Sequence, residues 1–178
     1  MAPAASCAGP GDPARRARRR REVRGRGPRR AFLRAALWAV LLYVLFRHVL
    51  LVVRVDGRSM EPTFHDRSTH VAFLLRYARG EPRRGDVVVI ETGGRREMLL
   101  KRVLAVPGDR IAFRQGVLHL DGRPQAEPYV TMPSDWTTSE YRLAPGEYYV
   151  AGDNRGMPIE EHDTGIAERG RIVGGLLF

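Results

Sequence analysis

The hydrophobic pattern divides the chain into three. Residues 1–30 show no apolar periodicity and are rich in Ala, Pro, Gly and Arg, a composition that predicts disorder. Residues 31–53, AFLRAALWAVLLYVLFRHVLLVV, form the main apolar segment, whose longest uncharged run, Ala35 to Phe46, is 12 residues. A run of that length also fits a buried core helix or the apolar region of a signal peptide. Taken whole as a helix, the segment reaches about 34 Å, enough to cross a bilayer core. Arg34 then snorkels to the inner face, with Arg47 and His48 near the outer one. After residue 53 the pattern changes. THVAFLL (69–75), DVVVIE (86–91), EMLLKRVLAV (97–106) and GEYYVAG (146–152) are short apolar runs bounded by Gly, Pro and charge, the signature of strands. RIAFRQGVLHLDGR (110–123) predicts a hairpin around Gln115-Gly116, with Asp121-Gly122 as the next turn. No helical period long enough for a major helix follows residue 53. The expected fold is mainly β: an N-terminal transmembrane helix, then a β-rich domain over 54–178.

Charge sharpens this division. The formal net charge is +10, but residues 1–34 hold eleven arginines against Asp12 and Glu22, so +9. The other 144 residues hold 19 bases and 18 acids, so +1. A basic tail before an apolar segment predicts a cytoplasmic flank by the positive-inside rule. No small-x-small cleavage site follows the segment, so it reads as an uncleaved signal anchor. The expectation is a single-pass plasma-membrane protein with residues 1–30 in the cytoplasm, 31–53 in the bilayer and 54–178 outside. The near-neutral domain lacks a basic face interleaved with aromatics and argues against nucleic acid as a partner. Cys7 is the only cysteine, which excludes an intrachain disulfide and a Cys-based metal site.

Candidate chemistry starts at DGRSMEPT, residues 56–63. Ser59 follows Gly57 and precedes a Met-x-Pro turn. A serine hydroxyl is a poor nucleophile until a base takes its proton. His48, His65, His70, His119 and His162 are scattered, and Ser59 is not in a G-x-S-x-G elbow. A Ser-His-Asp triad could still assemble across the sequence, though nothing marks one. There is no H-E-x-x-H motif; Glu160, Glu161, His162 and Asp163 could hold a cation, but a solvated acidic loop accounts for them, and no metal or cofactor is expected. The remaining base is Lys101, the only lysine among 30 basic residues. Arginine cannot lose its proton in a protein, whereas lysine can. On a strand, Leu99, Val103 and Ala105 share the face of Lys101, and Leu100 and Leu104 lie with Arg102 on the other. Burial between apolar faces lowers a lysine's pKa and fits it for general-base work.

Four segments together carry a resemblance: GRSMEPTF (57–64), RRGDVVVI (83–90), LLKRVLAVPGDRI (99–111) and GDNRG (152–156). In this order, behind an N-terminal anchor, they resemble the signature boxes of type I signal peptidases, membrane serine proteases with a Ser-Lys dyad. The resemblance covers residues 31–178. It implies a β-rich catalytic domain with a smaller β subdomain over 107–146, no cofactor, and cleavage of exported preproteins after a small-x-small motif, at the lipid bilayer. It implies Ser59 as nucleophile and Lys101 as general base, with the Ser59 N–H in the oxyanion hole. Gly57 stands where some members carry a further hydroxyl. Met60, Gly152, Asp153, Asn154, Arg155, Glu160 and His162 would support the site. With Ser59 six residues beyond Val53, an extended link would hold it within about 20 Å of the membrane face.

The last segment departs from the family pattern. In GDNRGMPIEEHDTG, Pro158 replaces a serine that positions the lysine, Glu160 an aspartate and His162 an arginine, while Gly165 keeps the glycine. Proline offers neither hydroxyl nor N–H. Either another group, such as water or Ser68, orients Lys101, or activity is reduced, and Glu160 and His162 are expected to keep a weaker, pH-dependent ion pair. The departure also leaves open a specialised maturation protease with few substrates, or an inactive membrane-tethered binding homologue.

Overall fold

The computed structural model describes residues 28–92, 98–163 and 165–177. The chain forms two units, residues 1–44 and 45–178. The first contributes most of helix α1, Pro28–His48. Along α1, Phe32, Leu33, Leu37, Trp38, Tyr43 and Phe46 are each more than 60% exposed, so its apolar surface is not buried in protein. By length and composition, Arg29–His48 can cross a membrane.

The helix stops short of the predicted Val53. Leu50–Arg54 is strand β1, paired antiparallel with β2, Thr69–Phe73. A continuous apolar run does not by itself separate helix from strand. The run of Leu50 to Val55 alternates instead: Val53 and Val55 are buried, Val52 and Arg54 exposed. The helical span is thus 21 residues, about 31 Å. Ser59 lies eleven residues beyond His48, so chain length alone does not confine it to the membrane face.

The second unit holds two antiparallel sheets. The remaining strands are β3 (Val87–Glu91), β4 (Met98–Ala105), β5 (Arg110–Arg114), β6 (Val117–Leu120), β7 (Arg123–Pro124), β8 (Tyr141–Arg142), β9 (Glu147–Ala151), β10 (Gly165–Glu168) and β11 (Ile172–Leu176). The larger sheet runs β1-β2-β11-β3-β4-β9-β10 and the smaller β7-β6-β5-β8. The predicted β5–β6 hairpin is present, with Gln115 and Gly116 both at positive φ, as a type I′ turn requires. The small sheet lies between Arg110 and Arg142, inside the expected 107–146. It shares one core with the large sheet: Ile111, Phe113, Leu118, Leu120 and Trp136 pack with Leu104, Ala105 and Ala151. The other two clusters flank β3 and β4. Val87, Val89 and Leu100 pack with Met60 and Phe64; Val88, Ile90 and Val103 pack with Tyr148 and Val150.

Candidate active site

Ser59 sits in the loop between β1 and β2. The loop is closed at its base by Val55 N–H to the Ser68 carbonyl and Arg67 N–H to the Val55 carbonyl, each 2.9 Å. At its tip Gly57 takes φ +99°, a conformation that disfavours other residues, and its N–H donates to Asp66 Oδ1 at 2.9 Å. Met60 and Phe64 plug the loop into the core, Met60 with 1% exposure. Ser59 is left half-buried beside them. Its backbone N–H makes no hydrogen bond among the described residues.

Lys101 lies within β4, opposite Val88, and is 1% exposed. Its Nζ is 3.1 Å from Ser59 Oγ and 2.8 Å from the His162 carbonyl oxygen. Burial pulls its pKa down from the free-lysine value to about 8, and nearby Asp163 opposes that shift. An ammonium has three N–H bonds to satisfy and finds two acceptors here, whereas a neutral amine can bond the carbonyl and still aim its lone pair at the Ser59 hydroxyl. None of the histidine rings bonds to Ser59 among the described residues. His70 Nε2 meets Ser68 Oγ at 2.9 Å instead, while that hydroxyl donates to the His65 carbonyl. Ser68 makes no bond to Lys101 among the described residues, so it is not the group that orients the amine.

The GDNR segment directly follows β9 and holds the serine loop from the other side. A side chain at Gly152 would fall on the Ser59 carbonyl and the His162 ring, so only glycine admits this approach. Asp153 is buried and forms a two-pronged ion pair with Arg102, at 2.8 and 2.6 Å, while accepting from Thr63 Oγ1 at 2.6 Å. Arg102 also donates to the Gly85 carbonyl and lies 4.1 Å over the Tyr129 ring. Asn154 N–H donates to the Ser59 carbonyl at 3.0 Å and Asn154 Nδ2 to the Arg58 carbonyl at 3.1 Å. Asn154 Oδ1 is buried without a donor among the described residues, so the amide grips the loop through Nδ2 alone. Arg155 reaches the opposite way. It pairs with Glu127 through both terminal nitrogens, at 2.9 and 2.6 Å, and packs over Trp136 and Phe113 of the small-sheet core.

His162 is fully buried, and the expected ion pair with Glu160 is absent. Its Nε2 donates to the Asn154 carbonyl at 2.8 Å and its Nδ1 accepts the Gly152 N–H at 3.4 Å. Burial, with Lys101 and Arg155 nearby, lowers its pKa, so the ring is neutral. Exposed Glu160 stays at the surface. With both ring nitrogens committed to backbone, His162 is also not free to ligate a cation with Glu160, Glu161 and Asp163.

The sequence reading brought Ser59, Lys101, Gly152, Asp153, Asn154, Arg155 and His162 forward, and they converge. It passed over Thr63, Glu127 and Trp136, placed Arg102 only on the strand face opposite Lys101, and gave Asp163 only a possible part in a cation site. Arg102 carried a usable signal, a charge inside an apolar strand, which demands a buried partner.

The site thus brings a serine hydroxyl into contact with a buried amine, on a β scaffold held against a Gly-Asp-Asn-Arg loop. Residues 29–177 match the family model "Signal peptidase, peptidase S26", and the chain belongs to that family. It is similar to signal peptidase IB of Staphylococcus aureus, strain Mu50, with 26% identity over 78% of this chain and 82% of that one. It is also similar to signal peptidase I of Bacillus licheniformis, with 29% identity over 83% of this chain and 86% of that one. A solved signal peptidase I from Enterococcus faecalis V583 aligns with TM-score 0.44 and 21% identity, covering 55% of this chain and 97% of that chain. Membership of the family supports signal-peptide removal by a peptidase acting on secreted preproteins, and α1 is consistent with a membrane-anchored protein.

Proposed function

We propose that the chain is a signal peptidase that works through a Ser59–Lys101 dyad. The observation that carries this reading is the 3.1 Å approach of Lys101 Nζ to Ser59 Oγ in a buried site. Neutral Lys101 takes the Ser59 proton as Oγ attacks the scissile carbonyl carbon. The oxyanion is met by the Ser59 N–H, which has no other acceptor among the described residues. As the C–N bond breaks, the Lys101 ammonium returns the proton to the leaving amine. Water, deprotonated by Lys101, then hydrolyses the acyl-enzyme and frees Ser59. Gly57 and Met60 shape the nucleophile loop. Gly152, Asp153, Asn154 and Arg155 fix it against β4 and the small sheet, and His162 belongs to this frame. Glu160, exposed and in none of these contacts, is left out of it.

Cleavage after a small-x-small motif belongs to the same reading. A cavity of about 150 Å³ lies beside Ser59 and Lys101, with Val53, Met60, Leu99 and Leu100 in its lining, and would receive a substrate side chain next to the scissile bond. It shares Val53, Arg54, Met98, Leu99 and Asp163 with a groove of about 990 Å³. That groove runs between β1, an edge strand, and the Met98–Lys101 stretch of β4, which pairs with β3 alone. An extended peptide laid there would bond to strand backbone. In this reading the basic tail is cytoplasmic, α1 crosses the plasma membrane, the catalytic domain faces outward to exported preproteins, and nucleic acid is no partner. A non-catalytic role was motivated by Pro158. The His162 carbonyl bonded to Lys101 speaks against it, since the amine keeps an acceptor without a side chain at 158.

The test is cleavage of a model preprotein with a small-x-small site by the full chain in detergent, with Ser59→Ala and Lys101→Arg in parallel. Cleavage by the native chain and by neither variant is the expected result. Wild-type turnover in Lys101→Arg would refute the dyad, because arginine keeps the charge but cannot act as base.

A further inference from the structure

His162 ties the two members of the dyad to one frame. Its ring is held by Gly152 N–H and the Asn154 carbonyl, and it packs edge-on against Trp136 at 4.8 Å between centroids. Those same two residues hold the nucleophile. Asn154 N–H bonds to the Ser59 carbonyl, and Gly152 lies against that carbonyl with no room for a side chain. The main chain of His162 completes the circuit at the base, its carbonyl accepting from Lys101 Nζ. Pro158, exposed and without a donor, makes no such contact.

We infer, resting on the Ser59–Lys101 reading, that His162 is the positioning residue of this site: the anchored ring holds its own carbonyl where it fixes one N–H of Lys101 and leaves the amine lone pair facing Ser59. A carbonyl only accepts. It can therefore orient the neutral amine without offering a proton that would compete for the lone pair, as a hydroxyl can. The ring is itself fully buried behind that carbonyl. Losing it admits water beside the amine and relieves the desolvation that keeps the amine neutral. The charged groups facing this ring are Lys101 from β4 and Arg155 from the loop after β9. Asp163 follows it in the chain and acts on Lys101. The segment bearing Trp136 presents only its indole. Both facing cations disfavour protonation of the ring. Protonation would also put a donor at Nδ1 against the Gly152 N–H.

The experiment measures kcat and KM from pH 6 to 10 on a small-x-small preprotein, using the full chain in detergent. His162→Ala and His162→Gln are compared with the native chain and with Lys101→Arg. Glutamine keeps a donor near the Nε2 position. His162→Ala is expected to lower kcat about 10- to 100-fold with KM nearly unchanged, the scale of misplacing a reacting group by about 1 Å. Its acidic limb should move to higher pH, and His162→Gln should recover most of both effects. Melting curves accompany each variant. A His162→Ala enzyme with native kcat and an unmoved limb overturns the inference alone, provided Lys101→Arg is inactive. So does a variant that merely melts lower and loses kcat with no movement of the limb. Turnover surviving Lys101→Arg overturns the dyad, and this inference with it.

Discussion

Replacing Lys101 by methionine separates what the base costs the fold from what it gives the reaction. Methionine keeps most of the volume and cannot take a proton. The native lysine is shifted from an unfolded-state value of 10.5 to about 8, with burial the main cause. The sign follows directly. Between about pH 8 and 10.5 the unfolded chain binds this proton and the folded chain does not, so native stability rises with pH across that window. Below about pH 8 both states are protonated and the fold carries the full cost of a buried ammonium. At roughly 1.36 kcal/mol per unit, the shift is worth about 3 kcal/mol. Lys101→Met has no such dependence. Against it, the native chain should gain about 3 kcal/mol between pH 7 and 10.5, while other titrating groups cancel. Removing the amine also strands the His162 carbonyl, at a cost of about 1–3 kcal/mol that is constant with pH. Denaturant unfolding of both chains in detergent at pH 7, 8.5 and 10.5 reads the difference. A stability gap that stays flat over this range would refute the argument that Lys101 is held neutral by burial.

The same titration should appear in catalysis. With a pKa of about 8, kcat/KM should fall on an acidic limb near that pH, and Asp163→Asn should move the limb lower by removing the nearby anion that favours the ammonium. A limb that does not move, or moves up, would exclude Asp163 from the field at Nζ. Gly152→Ala should cut kcat/KM by about 100-fold, because the added carbon drives the Ser59 carbonyl and His162 ring apart. The variant should also unfold more readily by about 1–3 kcal/mol, and native activity in it would mean that the serine loop relaxes freely.

Much of this arrangement could be read from residue types before any coordinates. Lys101 stood out as a lone lysine inside an apolar strand, and Gly116 and Asp121-Gly122 marked their turns because positive φ favours glycine and aspartate. The limits have equally specific causes. The end of α1 was misplaced because Leu50–Val53 is apolar at every position, and only its pairing with β2 distinguishes strand from helix. Strand β11, IVGGL, was hidden by two glycines. They lie where β11 runs close to Phe73, Leu74, Arg76 and Tyr77, so their role is visible only against those neighbours. The Glu160–His162 pair failed because side-chain chemistry does not say which way a residue points. Likewise a main-chain carbonyl leaves no trace in composition, so the acceptor on Lys101 could not have been named from its residue type.

The lone buried lysine has a practical consequence for labelling. An acylating reagent modifies free amines, and at pH 8 an ordinary lysine is neutral in well under about 1% of molecules, whereas this one is neutral in about half. With no second lysine in the chain, adducts on ε-amines report on one atom. The mass shift of the proteolytic fragment that bears Lys101, read apart from the α-amine, then measures how far that one site is occupied. A reagent small enough for the cavity of about 150 Å³ would serve as a chemoselective probe of whether substrate or inhibitor fills it, with no engineered handle.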